Sequence, residues 1–331
     1  MVSSRGIGIR KTSNDFQKVE NYQKIAESFF VFDEVQKDSF RPQVLKNSRQ
    51  GHHSAAYGGL IFSQALAAAE KTVDSVFRPH SVHSYFILNV DTKEPIFYNV
   101  RRIRDGRSFA TRTVEAVQKE KIAFTLQVSF HVEENEAVSH QSNMPDVLPP
   151  EQFMSMREAV PHLKELVEKG EIVPTEPVVR RLKKYDSQVY TAEEDLFEMR
   201  CVNLEKYYGL DDDREPRMHF WMRARGDLND DEKLHRWLVA YNTDSTLIST
   251  AVGPHYAKNF MSSMMFSLDH CVWFHRINIR ADEWLLFETK SHIAAGGRAF
   301  IDGKVWRRDG TLMISVHQEA LIRSKGDTSR L

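Results

Sequence analysis

Apolar residues recur at helical spacing in two stretches, 57–73 (YGGLIFSQALAAAEKTV) and 234–252 (LHRWLVAYNTDSTLISTAV), and each predicts a helix. After the first, period-two alternation and β-branched or aromatic enrichment predict strands at 82–88, 96–104 and 122–132. After the second, the same signals predict strands at 265–276, 284–292 and 312–322. The two halves share a further signature. Gly106-Arg107-Ser108-Phe109 leads into 122–132, and Gly297-Arg298-Ala299-Phe300 leads through a turn at Asp309-Gly310 into 312–322. A helix followed by a meander of strands, repeated once, predicts two antiparallel α+β units.

Two polar residues interrupt these patterns. Asp244 falls within the second helical stretch, and the positions three and four away are Ala240, Tyr241, Leu247 and Ile248. A carboxylate on such a face loses water at a cost of roughly several kcal/mol unless partners satisfy it, which invites a functional reading. The other reading is that Asp244 caps a shorter helix starting at Ser245, since Asn242, Thr243 and Asp244 are all capping types. In the last strand the inward face reads Leu312, Ile314, Val316, Gln318, Ala320, Ile322, which places the Gln318 amide among apolar residues, either for function or paired to the backbone.

Composition narrows the class. The chain has 331 residues, 41% hydrophobic and 27% charged, enough for a sizeable core in two domains. A formal net charge of −1 provides no chain-wide basic surface for nucleic acid. Two cysteines, Cys201 and Cys271, make neither a disulfide framework nor a metal cluster. The N-terminus (MVSSRGIGIRK) lacks the apolar core of a secretory leader, and no run approaches the roughly 20 apolar residues of a membrane span. Organisation is expected as a flexible stretch 1–20, a first unit 21–132, a proline-rich connector 133–187, a second unit 188–325 and a tail 326–331. That tail ends Ser329-Arg330-Leu331, similar to the Ser-Lys-Leu peroxisomal address. Peroxisomal residence through the import receptor is therefore expected, with the cytoplasm as the alternative.

Several separated blocks, AYGGLIFSQALAAAEKTV, HSYF, IRDGRSFATRTVEAVQ, LHRWLVAYNTDSTL, SLDHCVWFHR, ADEWLLFETKS, GGRAFIDGKVWRRDG and HQEALIR, resemble the type II acyl-CoA thioesterases in the same order. The resemblance implies a tandem, or double, hotdog fold: two antiparallel sheets, each wrapped around a long central helix. It implies an acyl-CoA substrate, no cofactor and no metal, and leaves self-association open. It further implies a catalytic trio in the second hotdog, which maps residue by residue onto Asp244 in YNTDS, Ser267 before LDH and Gln318 in HQE. Ser267 rests on the resemblance alone, because strand alternation puts it with Met265, Asp269 and Cys271 without saying which face is buried.

The expected chemistry is hydrolysis of the thioester by water, with Asp244 as general base and Ser267 and Gln318 orienting water and carboxylate. Donors for the carbonyl oxygen would be Gln318 or backbone N–H groups at a helix start. In the first half, equal spacing from the repeat glycine matches Gln127 to Gln318, whereas alternation offers Val128. The helix at 57–73 offers Gln64 but no carboxylate before Glu70, so that half is expected to be a degenerate copy shaping the acyl tunnel. Ser267, Asp269 and His270 hold the residue types of a hydrolase triad, but alternation within one strand predicts that they cannot converge. His270 and His275 are read as structural or outlying groups, His80 and His83 as packing or lining groups, and the adjacent His52 and His53 as lacking metal-site spacing. The alternatives are a hydratase-like hotdog enzyme with an Asp and His pair, or an acyl-CoA binder without turnover.

Overall fold

The structure is a computed structural model and describes residues 21–46, 55–186, 196–210 and 215–324. His52, His53 and the terminal Ser329-Arg330-Leu331 lie outside the described residues.

The first half runs α1 (Tyr22–Ser28), β1 (Phe32–Gln36), β2 (Ser39–Pro42), α2 (Gly58–Glu70), then β3 (Phe77–Phe86), β4 (Phe97–Asp105), β5 (Phe109–Gln118) and β6 (Lys121–Val132). α2 is buried all round, from Gly59 to Glu70, because β3 to β6 curve about it. The connector carries α3 (Met156–Glu168) and α4 (Glu176–Asp186). Ahead of α3, Met144, Val147 and Phe153 cover the outer face of the second half's sheet at Trp221, Trp284, Leu286 and Trp306, and Trp221 Nε1 donates to the Leu148 carbonyl at 2.9 Å. The connector is thus laid onto the sheet by apolar burial.

The second half runs β7 (Phe197–Cys201), α5 (Leu204–Tyr208), β8 (Arg217–Ala224), α6 (Glu232–Thr243), α7 (Leu247–Tyr256), β9 (Ser262–Ser267), β10 (Asp269–Phe274), β11 (Leu285–Ala295), β12 (Arg298–Arg307) and β13 (Leu312–Ser324). The expected single helix over 234–252 is two helices, broken at Asp244, Ser245 and Thr246. Local hydrogen bonds account for the break. Thr243 Oγ1 approaches the Ala240 carbonyl at 2.7 Å and Ser245 Oγ donates to the Asn242 carbonyl at 2.7 Å, so consecutive short polar side chains compete with the helical ladder. The helix that β8, β11 and β12 enclose, and hence the counterpart of α2, is α7. α6 instead packs antiparallel to α2: Gly59 lies against the Tyr241 carbonyl at one end, while Glu70 accepts from Arg236 at 2.8 Å at the other. Glu70 and Arg236 are both buried, so the pair registers the two halves, since either charge alone would be buried without compensation.

The two expected sheets join edge to edge. β3 pairs antiparallel with β10, Val82 opposite Val272, which makes one continuous order β1-β2-β4-β5-β6-β3-β10-β13-β12-β11-β8-β7, with β9 also on β13. Each half keeps its own sheet wrapped on its own helix, and the seam runs beside the trio.

Candidate active site

Five segments converge at the seam: the break between α6 and α7, β9, β10, β13 and the start of α2. Asp244 stands in the break between α6 and α7, half-buried and not on a sequestered helix face as the apolar periodicity predicts. The capping alternative is nearer, although the helix resumes at Leu247 with Thr246 in the N-cap position. Ser267 ends β9, and Gln318 sits within β13 with no exposed surface.

A bulge brings Ser267 inward. β13 pairs Ala320 with Ser267 and His317 with Cys271, so Leu268, Asp269 and His270 stand opposite only Gln318 and Glu319. The extra residue inverts the alternation, as β-bulges do. Ser267 and His270 therefore both face the interior, and Asp269 turns away to accept from the Glu319 backbone N–H at 2.5 Å. The expected common face of Ser267, Asp269 and Cys271 is not formed, and the argument that Ser267 and His270 must diverge fails for the same reason.

Their hydrogen bonds form a continuous chain. Ser267 Oγ donates to Asp244 Oδ1 at 3.1 Å, and Gln318 Nε2 donates to Ser267 Oγ at 2.9 Å. Gln318 Oε1 lies 2.7 Å from His270 Nδ1, and His270 Nε2 lies 2.8 Å from Thr243 Oγ1. His270 is fully buried, its ring edge-on to Phe62 of α2 with centroids 4.8 Å apart. Loss of hydration holds its imidazole below the usual histidine pKa range, with the Asp244 charge and the Gln318 hydrogen bond opposing that shift. It is therefore neutral at neutral pH.

The first half completes the enclosure through the start of α2. A Cβ placed on Gly58 would come within 2.9 Å of Asp244 Oδ2 and 3.2 Å of the Phe86 ring. One on Gly59 would strike the Tyr241 carbonyl at 2.3 Å. Glycine is required at both positions for close approach. Being first in the helix, Gly58 and Gly59 carry N–H groups that have no intrahelical acceptor, at the positive end of the α2 dipole. A contact with Asp244, 186 residues away along the chain, leaves no local signal at this glycine pair.

Ladder register also decides the degenerate position. Ile301 pairs with Gln318 in the second half, and Ala110, which follows the matching Gly-Arg-Ser-Phe, pairs with Phe130 in the first. The counterpart of Gln318 is thus buried Phe130, and neither Gln127 nor Val128.

A double hotdog with this constellation defines a class, and comparison with known proteins identifies it. Residues 47–131 match the family model described as acyl-CoA thioesterase N-terminal domain, and residues 176–322 match the acyl-CoA thioesterase C-terminal domain. Acyl-coenzyme A thioesterase 8 of Mus musculus is 37% identical over 277 residues, covering 82% of this chain and 82% of that protein. The peroxisomal acyl-coenzyme A thioester hydrolase 1 of Saccharomyces cerevisiae is 25% identical over 316 residues, covering 80% of this chain and 85% of its own. Among solved structures, the acyl-CoA thioesterase II TesB2 of Mycobacterium marinum superposes with a TM-score of 0.70 at 31% identity, covering 91% of this chain and 98% of that one. The chain belongs to the acyl-CoA thioesterase family.

Proposed function

We propose that the protein hydrolyses fatty acyl-CoA to the free acid and CoA, with Asp244, Ser267 and Gln318 as the hydrolytic centre. The observation that carries this reading is the directed pair of hydrogen bonds Gln318 to Ser267 to Asp244, beside the glycine start of α2. Ser267 occupies Oδ1 of Asp244, so Oδ2 is the oxygen that takes a proton from water as the water attacks the thioester carbon. One N–H and the carbonyl of the Gln318 amide are already engaged, by Ser267 and His270. The carbonyl oxygen is assigned to the N–H groups of Gly58 and Gly59, where developing negative charge meets a helix N-terminus. The tetrahedral intermediate collapses by breaking the carbon–sulfur bond. CoA leaves as a thiolate with little acid assistance, because a thiol is acidic enough to depart as the anion, and the proton held on Asp244 then passes to it or to solvent, which restores the base.

An Asp and His pair of the hydratase kind is not favoured. His270 sits behind Gln318, with its ring nitrogens against Gln318 and Thr243. Thiol release from a panel of acyl-CoA esters tests the assignment: steady multiple-turnover release is expected, and a protein that binds these esters without releasing CoA is a binder only. Samples quenched during turnover are expected to show no acyl adduct on Ser267 by mass spectrometry, since among the described residues its hydroxyl is hydrogen-bonded to Asp244 and Gln318 and to no histidine that could activate it as a nucleophile. A stoichiometric, kinetically competent adduct would replace the water mechanism by a covalent one.

Peroxisomal residence is the companion proposal, supported by the terminal Ser329-Arg330-Leu331 and by the name of the yeast relative. A tagged protein retaining its own C-terminus is expected to co-localise with a peroxisomal marker, and removal of the last three residues to release it into the cytosol. Unchanged localisation after that deletion removes the targeting proposal and leaves the chemistry intact.

A further inference from the structure

We propose that His270 is a positioning residue: held as the Nδ1–H tautomer, it fixes which way the Gln318 amide points, and through Gln318 it makes Ser267 a donor to Asp244. The inference rests on the hydrolytic role assigned above to Asp244, Ser267 and Gln318, and concerns a residue outside that trio.

Counting protons along the chain of contacts leads to one tautomer. Asp244, ionised, only accepts, so the Ser267 hydroxyl at 3.1 Å must donate to it. With its single proton committed, Ser267 can only accept from Gln318 at 2.9 Å, and Gln318 must present its NH₂ there. Its carbonyl end then faces His270 Nδ1 at 2.7 Å, and two lone pairs at that distance repel unless Nδ1 carries the proton. Nε2 of the neutral ring is left as an acceptor, and the single hydroxyl proton of Thr243, whose Oγ1 lies 2.8 Å from Nε2 and 2.7 Å from the Ala240 carbonyl, is shared between the two. The circuit runs Thr243, His270, Gln318, Ser267, Asp244. It begins and ends on adjacent residues, the last of α6 and the first of the break, so one stretch of backbone anchors both ends.

The opposite tautomer has a definite consequence. A proton on Nε2 would turn a lone pair towards Gln318, rotate the amide by half a turn and bring its oxygen to Ser267. The serine proton would then be drawn to the amide, and Asp244 would lose its donor. Edge-on packing of Phe62 holds the ring plane, so the choice of tautomer, not ring rotation, sets the polarity. This assignment follows from matching donors to acceptors.

Long-range ¹H–¹⁵N spectra of the full-length protein labelled with ¹⁵N-histidine test it directly, the His270 signals being identified by their loss in H270N. The ring proton is expected on Nδ1 at neutral pH; a proton on Nε2 overturns the proposal. Kinetics provide an independent arm. H270L is expected to lower kcat by about ten-fold or more with KM nearly unchanged, as for lost orientation of a reacting group. H270N, whose amide nitrogen takes the place of Nδ1 and can donate to Gln318 Oε1, is expected to recover most of that loss. A wild-type kcat in H270L, or H270N no better than H270L, overturns the proposal, and the wild-type tautomer decides the matter even where H270L fails to fold. Wild-type turnover in Asp244→Asn would instead remove the hydrolytic reading itself, whereas an active H270L beside an inactive Asp244→Asn removes only the role of His270.

Discussion

Asp244→Asn is expected to lower kcat by about 10² to 10⁴, the usual cost of deleting a general base, while the protein remains folded. The substitution isolates the base from the geometry. An asparagine oxygen can still accept from Ser267 Oγ, so the link recorded at 3.1 Å survives while basicity is lost. Stability should change little, because Asp244 is half-buried at a helix break, where its charge meets the unfavourable C-terminal end of α6 and the favourable start of α2 together, so that the two dipoles oppose each other. Ser267→Ala and Gln318→Ala are expected to be milder, at about ten-fold or more, since each orients the carboxylate without taking the proton. Steady-state thiol release alongside thermal melts checks all three. A folded Asp244→Asn variant with wild-type turnover would overturn the assignment of the base.

Gly58→Ala is expected to reduce kcat by about 10², although it adds only one methyl group on the other half of the chain. The added Cβ would stand 2.9 Å from Asp244 Oδ2, below any normal contact, and the carboxylate is the group with freedom to yield. Rotating it displaces the oxygen assigned to water and weakens the bond to Ser267. The backbone at Gly58 lies outside the left-handed region, so alanine is not strained there and its better helix propensity offsets the contact. Loss of rate with an undiminished melting temperature is the expected signature. A folded variant with unchanged kcat would show that the start of α2 does not approach the reacting groups, and would remove the Gly58 and Gly59 donors from the mechanism.

Much of this molecule is legible along the chain. Local pattern is enough for the helix at Gly58–Glu70, for the long strands of each half and for their repetition, because a helix enclosed by a sheet must be apolar and a sheet with one covered face must alternate. Gln318 is visible for the same reason, as an amide in a row of inward apolar residues. The sequence alone therefore determined the two α+β units and the inward amide, and the resemblance supplied the trio proposed here as the hydrolytic centre. Tertiary structure decided the rest. Asp244 looked misplaced on a continuous helix only because period counting cannot see that Thr243 and Ser245 turn their hydroxyls onto the backbone and end it. Ser267 and His270 share a face because a bulge opposite Gln318 and Glu319 shifts the period by one, and bulges depend on which strands pair. The approach of Gly58 to Asp244, the buried pair of Glu70 and Arg236, and the fusion of two sheets through Val82 and Val272 all join residues from opposite halves. Local propensity carries no information about such contacts, because they exist only once each half has buried its own helix and the two faces left over can meet.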